Sequence, residues 1–318
     1  MPVMSRTNLL WLQAGSCSGD TMSLLCADDP SWPELVSQYN LDIIWQPSLS
    51  SRPVSALLQD VDAILADEKS LNILCIEGSL ALGPNNTGMF DTINNRPKAF
   101  MIKELADKAD YVVAVGTCSA YGGVPASPPN PTECTGMQSF KGAAKGLLDE
   151  HWVSNKGLPV INISGCPVHP NVIIQTITSL LEGYPPELNA LNQPKEHYST
   201  MVHQGCTRNE YHEYDIEEDE FGKEGCLFYN LGCQGPYTMA TCNSQLWNKQ
   251  SSKTRAGVPC IGCVSPDFPR NAPLFKTDKV GDIPVSLPLG VSRARYMAYK
   301  DLANDAAPVR IIERRVKP

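Results

Sequence analysis

The sequence predicts an α/β protein, a doubly wound parallel sheet in the first half followed by an irregular, cysteine-rich second half. Three observations carry this. Short apolar, β-rich runs alternate with longer helical stretches in the first half, the pattern of a parallel sheet covered by helices. From about residue 185, "GYPPELNALNQPKEHYS" opens a region punctuated by proline and glycine, with little periodicity. Twelve cysteines are spread through 318 residues.

The expected strands are Leu9 to Leu12, Asp42 to Trp45, Asn72 to Ile76, Tyr111 to Val115 and Pro159 to Ile163. The expected helices are Thr21 to Cys26, Ser55 to Ala66, Lys98 to Lys108, Gly142 to Asn155 and Asn171 to Leu181. Ligands of open α/β sheets collect beyond the carboxyl ends of the strands. Cys17 and Asp20 follow the first strand, Glu77-Gly78-Ser79 the third, Gly116-Thr117-Cys118 the fourth and Gly165-Cys166-Pro167 the fifth. Three cysteines would thus converge on one sheet edge. A lone cysteine there reads as a small buried hydrophobe, whereas three together read as a site. Asp20 stands where a C-x-x-C pair would place its second thiolate, and equally where a helix N-cap would fall.

Length and a 42% hydrophobic content suit two domains, residues 1–185 and 186–318. Charged residues are 19%, with a formal net charge of -8, which gives no reason to expect nucleic acid as a partner. The N-terminus shows neither a charged leader with an apolar core nor a twin-arginine pair, and no run approaches the roughly 20 apolar residues of a membrane span. The expectation is a cytoplasmic protein, associated with a membrane only through partners. Disulfides are disfavoured in that compartment, so this many thiols point to metal or cluster ligation.

The second half holds two cysteine groups. One is His203-x-x-Cys206 with Cys226 and Cys233; the other is Cys242 with Cys260-x-x-Cys263. A segment poor in regular structure gains rigidity from metal-ligand bonds. The first group would satisfy a closed tetrahedral zinc site. The second offers three cysteines and no histidine of its own, since His212 belongs to the acidic stretch "YHEYDIEEDE". Three thiolates suit a three-iron cluster, and the flanking glycines let backbone N–H groups approach sulfide. On spacing alone, clusters are favoured over zinc and both stay open.

The ordered series Cys17-x-x-Asp20, Glu77-Gly-Ser, Gly116-Thr-Cys118, Gly165-Cys166-Pro-x-His169-Pro170, His203-x-x-Cys206, Cys226 to Cys233-x-Gly-Pro236, Cys242 and Pro259-Cys-x-Gly-Cys263 resembles the small subunit of nickel-iron hydrogenases over nearly the whole chain. The tail "QSSKTRAGVPCIGC", followed by "FKTDKVGDIPVSLPLGV", resembles the uptake or high-affinity branch that stays in the cytoplasm. The resemblance implies a flavodoxin-like N-terminal domain, a C-terminal iron-sulfur domain and three clusters in a row. It implies Cys17, Asp20, Cys118 and Cys166 for a proximal cluster, Cys242, Cys260 and Cys263 for a medial 3Fe-4S cluster, and His203, Cys206, Cys226 and Cys233 for a distal one. Cys26, Cys75 and Cys134 match no ligand position and are expected to be structural thiols.

Two departures from the family stand out. Asp20 replaces a thiolate, and "CLFYNLGC" is one residue longer than the usual spacing, so the proximal and distal clusters are 4Fe-4S or 3Fe-4S. The implied activity is H2 oxidation at a nickel-iron centre in a partner large subunit, with this chain relaying electrons to an acceptor such as a quinone or a further subunit, in a higher oligomer of heterodimers. Glu77 reads either as part of a polar network at the subunit interface or as a helix cap. "MFDTINNRP" and the loop from Tyr121 to Pro131 read as partner-facing segments, and "YHEYDIEEDE" as a solvated acidic face. The competing readings are a flavodoxin-like protein with structural zinc and the cluster-bearing member of a quinone-reducing respiratory complex.

Overall fold

The structure, a computed structural model, describes residues 6–140, 145–269 and 273–312. Five parallel strands form the main sheet: β1 (Thr7–Gln13), β2 (Leu41–Trp45), β3 (Leu71–Glu77), β4 (Ala109–Val115) and β5 (Ile161–Ile163). Their spatial order is β5-β4-β3-β1-β2, the flavodoxin-like order. Runs such as Leu9 to Leu12 and Val112 to Val115 are buried throughout because helices cover both faces of the sheet.

The helices are α1 (Gly19–Leu25), α2 (Trp32–Gln38), α3 (Val54–Leu65), α4 (Lys98–Ala106), α5 (Thr117–Tyr121) and α6 (Pro170–Leu181). α2 is not among the expected helices, although Ser31 and Glu34 form a capping box at its start and Pro33 follows in the first turn. The helix expected over Gly142 to Asn155 is corrected. Residues 142–144 lie outside the described residues, and Gly146–Leu148 is a strand pairing in parallel with Cys134–Gln138. Gly146 N donates to Ser139 Oγ at 2.8 Å, and a Cβ at Gly146 would lie 2.6 Å from the Gln138 carbonyl oxygen, so backbone proximity overrides the helical spacing of the apolar residues.

The chain forms two compact units. The first comprises the described residues through Glu196 together with 264–269; the second comprises His197–Cys263 with 273–312. The second unit is mostly irregular. Its regular pieces include the helices Asn209–Glu213, Phe228–Leu231 and Arg293–Asp305 and a ribbon of Lys279–Val280 with Ile283–Pro284. Ile216, Ala307 and Ile311 make a small core there. No described helix is long and apolar enough to cross a membrane.

Candidate metal centres

Strand register builds the first centre. Gln13 of β1 pairs with Glu77 of β3, Glu77 with Val115 of β4, and Val115 with Ile163 of β5, so four strands end on one row. Beyond the row, Gly116 N donates to the Ile163 carbonyl at 2.9 Å, Thr117 N to the Gly165 carbonyl at 2.9 Å and Gly165 N to Thr117 Oγ1 at 2.9 Å. These bonds tie the loop of Cys118 to that of Cys166. The β1 loop joins them, since a Cβ on Gly19 would lie 3.2 Å from Cys17 Sγ and 3.5 Å from Pro167 Cβ. Burial pushes the Cys118 thiol up to about 12, against a Val124 amide bond and reinforced by the nearby Cys166, Asp20 and Cys17.

Asp20 lies in the first turn of α1 and is 8% exposed. Its Oδ1 accepts from Val168 N at 2.7 Å. Burial raises its carboxyl to about 7, opposed by the Val168 bond and aided by the charge of Glu77. Asp20 does not cap α1, because Glu77 does. The fully buried Glu77 carboxylate accepts from Asp20 N at 3.2 Å and Thr21 N at 3.3 Å, and also from Trp11 Nε1 at 3.1 Å, Gln13 Nε2 at 3.0 Å, Ser16 Oγ at 2.9 Å and Thr21 Oγ1. The bonds from the Asp20 and Thr21 amides are those of a helix cap, and the side-chain donors form a buried polar network around it. The carboxylate also holds the turn that carries Cys17 and Asp20. Gly78, at φ +93, lets this turn pass, since a Cβ there would lie 2.7 Å from Gly15 C and Ser16 N.

In the second unit, His203, Cys206, Cys226 and Cys233 line one cavity together with Arg208 and Phe228. Backbone amides aim at the sulfurs: Arg208 N at Cys206 Sγ (3.4 Å), Phe228 N at Cys226 Sγ (3.5 Å) and Cys260 N at Cys233 Sγ (3.3 Å). Burial holds the Cys226 thiol well above its ordinary range and lifts Cys233 to about 11. Burial depresses His203. Cys260 adjoins Cys233 and Cys263, and Cys242 feels the charge of Cys263, so the two cysteine groups are neighbours. Lys253 Nζ donates to Cys263 Sγ at 3.9 Å.

The donor chemistry fits iron-sulfur clusters. A metal cation that replaces the proton stabilises buried sulfur as a thiolate, and thiolates with histidine or carboxylate are cluster ligands. Arg208 makes the same point for the four-residue set. Arg208 is 9% exposed as a residue, and its guanidinium donates to the Thr254 carbonyl (2.6 Å), the Gly225 carbonyl (2.6 Å) and the Lys223 carbonyl. Among the described residues no carboxylate pairs with it. A buried cation without an anion costs several kcal/mol, which a cluster bearing negative charge in the adjoining cavity would offset.

Two residues beside the second-unit cavity are not among the expected ligands. "YHEYDIEEDE" is not simply a solvated face, because the side chains of His212 and Glu217 are 18% and 9% exposed and Ile216 and Glu218 are buried. His212 Nδ1 lies 3.5 Å from Cys226 Sγ, and its ring meets those of His203 and Phe228 edge-on. The available signal was Ile216, an apolar residue inside the acidic run that anchors it inward beside Tyr211 and Tyr214. Of the three unassigned thiols, Cys75 and Cys134 are buried and Cys26 is exposed.

Comparisons with known proteins agree with this geometry. Residues 198–276 match the family model for the C-terminal part of the NiFe/NiFeSe hydrogenase small subunit, and residues 17–180 match that for the NADH ubiquinone oxidoreductase 20 Kd subunit. The F420 non-reducing hydrogenase II small subunit of Methanosarcina mazei is 31% identical over 296 residues, covering 85% of this chain and 76% of its own. The periplasmic [NiFe] hydrogenase small subunit 1 of Nitratidesulfovibrio vulgaris is 30% identical, covering 83% and 80%. The solved actinobacterial-type NiFe-hydrogenase of Ralstonia eutropha H16 superposes with a TM-score of 0.79 at 27% identity, over 96% of this chain and 91% of that one.

The expected cytoplasmic location is corrected here, because similar small subunits include a periplasmic one. The physical reason is that an address is carried by processing segments and partners, while the folded domains look alike on either side of a membrane. The respiratory alternative accounts for the first unit alone, whereas the hydrogenase match extends through the second. The chain therefore belongs to the small subunits of the nickel-iron hydrogenases.

Proposed function

We propose that this chain relays electrons from H2, oxidised at the nickel-iron centre of its large-subunit partner, through three iron-sulfur clusters to an acceptor such as a quinone or a further subunit. As a hydrogenase small subunit it forms a heterodimer with the large subunit, and subunits of this kind carry iron-sulfur clusters. We further assign the heterodimers to a higher oligomer. The clusters supply one-electron redox steps when bound.

Cys17, Asp20, Cys118 and Cys166 would hold the proximal cluster, with Asp20 offering a carboxylate oxygen where a fourth sulfur is usual. Cys242, Cys260 and Cys263 would hold a medial three-iron cluster, and His203, Cys206, Cys226 and Cys233 the distal one. The observation that carries this reading is the convergence on Cys118 of Cys166, Asp20 and Cys17, a set of four residues brought from the ends of three strands, β1, β4 and β5. Met89, Phe90 and Val124, exposed on the loops read as partner-facing, suit an apolar contact with another subunit.

The test is metal and sulfide analysis of the heterodimer purified without oxygen, together with its visible spectrum. A brown protein is expected, with iron and acid-labile sulfide for three clusters, bleached by H2. A colourless protein containing zinc would end this reading.

A further inference from the structure

We propose that His212 is a positioning residue for the distal centre: its Nδ1–H donates a hydrogen bond to the Cys226 sulfur and raises the reduction potential there. This rests on the assignment of His203, Cys206, Cys226 and Cys233 to the distal cluster, a set that leaves His212 without a role.

Three observations converge. Nδ1 is 3.5 Å from Cys226 Sγ and 3.9 Å from Glu217 Oε1. Both neighbours are acceptors when Cys226 is a metal-bound thiolate and Glu217 a carboxylate, so a lone pair on Nδ1 would face two anions. The neutral ring therefore carries its proton on Nδ1, directed between them. The ring is held in that orientation edge-on to His203, at 4.9 Å between centroids and 85°, and to Phe228, at 5.6 Å and 89°. Glu217 is itself fixed, its Oε2 accepting from Tyr229 N at 3.2 Å.

A hydrogen bond to a ligand sulfur withdraws electron density from it and stabilises the more negative, reduced cluster. Cys226 already receives the Phe228 amide at 3.5 Å, and His212 adds a side-chain donor that mutation can remove. The ligand atoms of His212, Glu217 and Cys226 all lie within 4.8 Å of one another, so His212 as a direct iron ligand is the rival outcome.

The experiment compares the wild-type heterodimer with His212→Phe, which keeps a flat ring, and His212→Asn, which keeps a side-chain N–H at the position of Nδ1. The readouts are the iron content and an EPR-monitored redox titration of the distal cluster. With full iron, H212F is expected to lower the reduced-to-oxidised ratio at fixed potential about tenfold, a fall of about 59 mV for one electron, and H212N to return most of it. Iron loss in H212F alone, with H212N loaded and titrating near wild type, also supports a donor. An unchanged potential in fully loaded H212F overturns the proposal in favour of packing, and loss of the distal cluster from both variants overturns it in favour of a ligand. Cys226→Ala, which leaves no ligand atom at this position, is the control: a distal signal unchanged in spectrum and iron content in it refutes the ligand set itself, a failure distinct from that of the donor.

Discussion

Gly116 has no side chain because Asp20 occupies the space one would fill. A Cβ on Gly116 would overlap Oδ2 of Asp20 and lie 2.9 Å from its Cγ. Gly116 also sits at φ 92, ψ 155, a conformation essentially reserved for glycine. The residue that opens the Cys118 loop is thus fitted to the carboxylate of the Cys17 loop.

Gly116→Ala is expected to cost more than the ~1–3 kcal/mol of backbone strain alone, because the methyl group also displaces Asp20. The proximal centre should be lost or altered while the second unit keeps its clusters. Iron analysis with EPR of the variant heterodimer checks this, and a fully loaded variant with an unchanged spectrum contradicts it.

Glu77→Gln should destabilise the first unit by about 2–4 kcal/mol, since an amide replaces one accepting oxygen and turns a donor toward the N–H and O–H groups that now converge there. Thermal unfolding of variant and wild type measures the loss. The Cys17–Asp20 turn depends on this cap, so the proximal signal should broaden as well.

Asp60 on α3 gives a pH dependence that does not involve the metal centres. Burial disfavours its charge, but Lys69 at 2.8 Å and Arg52 at 2.7 Å outweigh that and hold its carboxyl below the usual range. A depressed pKa gives stability that is present above the unfolded value of about 3.9 and is lost as pH falls through the folded value. Asp60→Asn should therefore cost about 1 kcal/mol at neutral pH, with the difference from wild type fading as the pH drops below about 4. Urea unfolding at the two pH values tests the sign.

Much of this was legible because strands buried on both faces read as apolar runs, and the expected ends of β1, β3 and β4 lie within two residues of the observed ones. The cysteines beyond them followed from topology. Other features were set by contacts that a local pattern does not record. The strand at Gly146–Leu148 exists because Gly146 fits against Gln138, and which of Asp20 and Glu77 accepts the α1 amides is decided by contacts between distant segments, Glu77 meeting those amides and Asp20 the Val168 amide. His212 was hidden by the charge of its neighbours, while its position depends on Ile216 turning inward.

The central claim, a relay whose first centre has an oxygen in place of a sulfur, is tested most directly by Asp20→Cys in the intact heterodimer, read by low-temperature EPR across a redox titration. The proximal signal and its midpoint potential are both expected to move, with the medial and distal signals unchanged. A proximal centre identical in spectrum and potential to wild type would contradict the claim and leave Asp20 as no more than the acceptor of the Val168 amide.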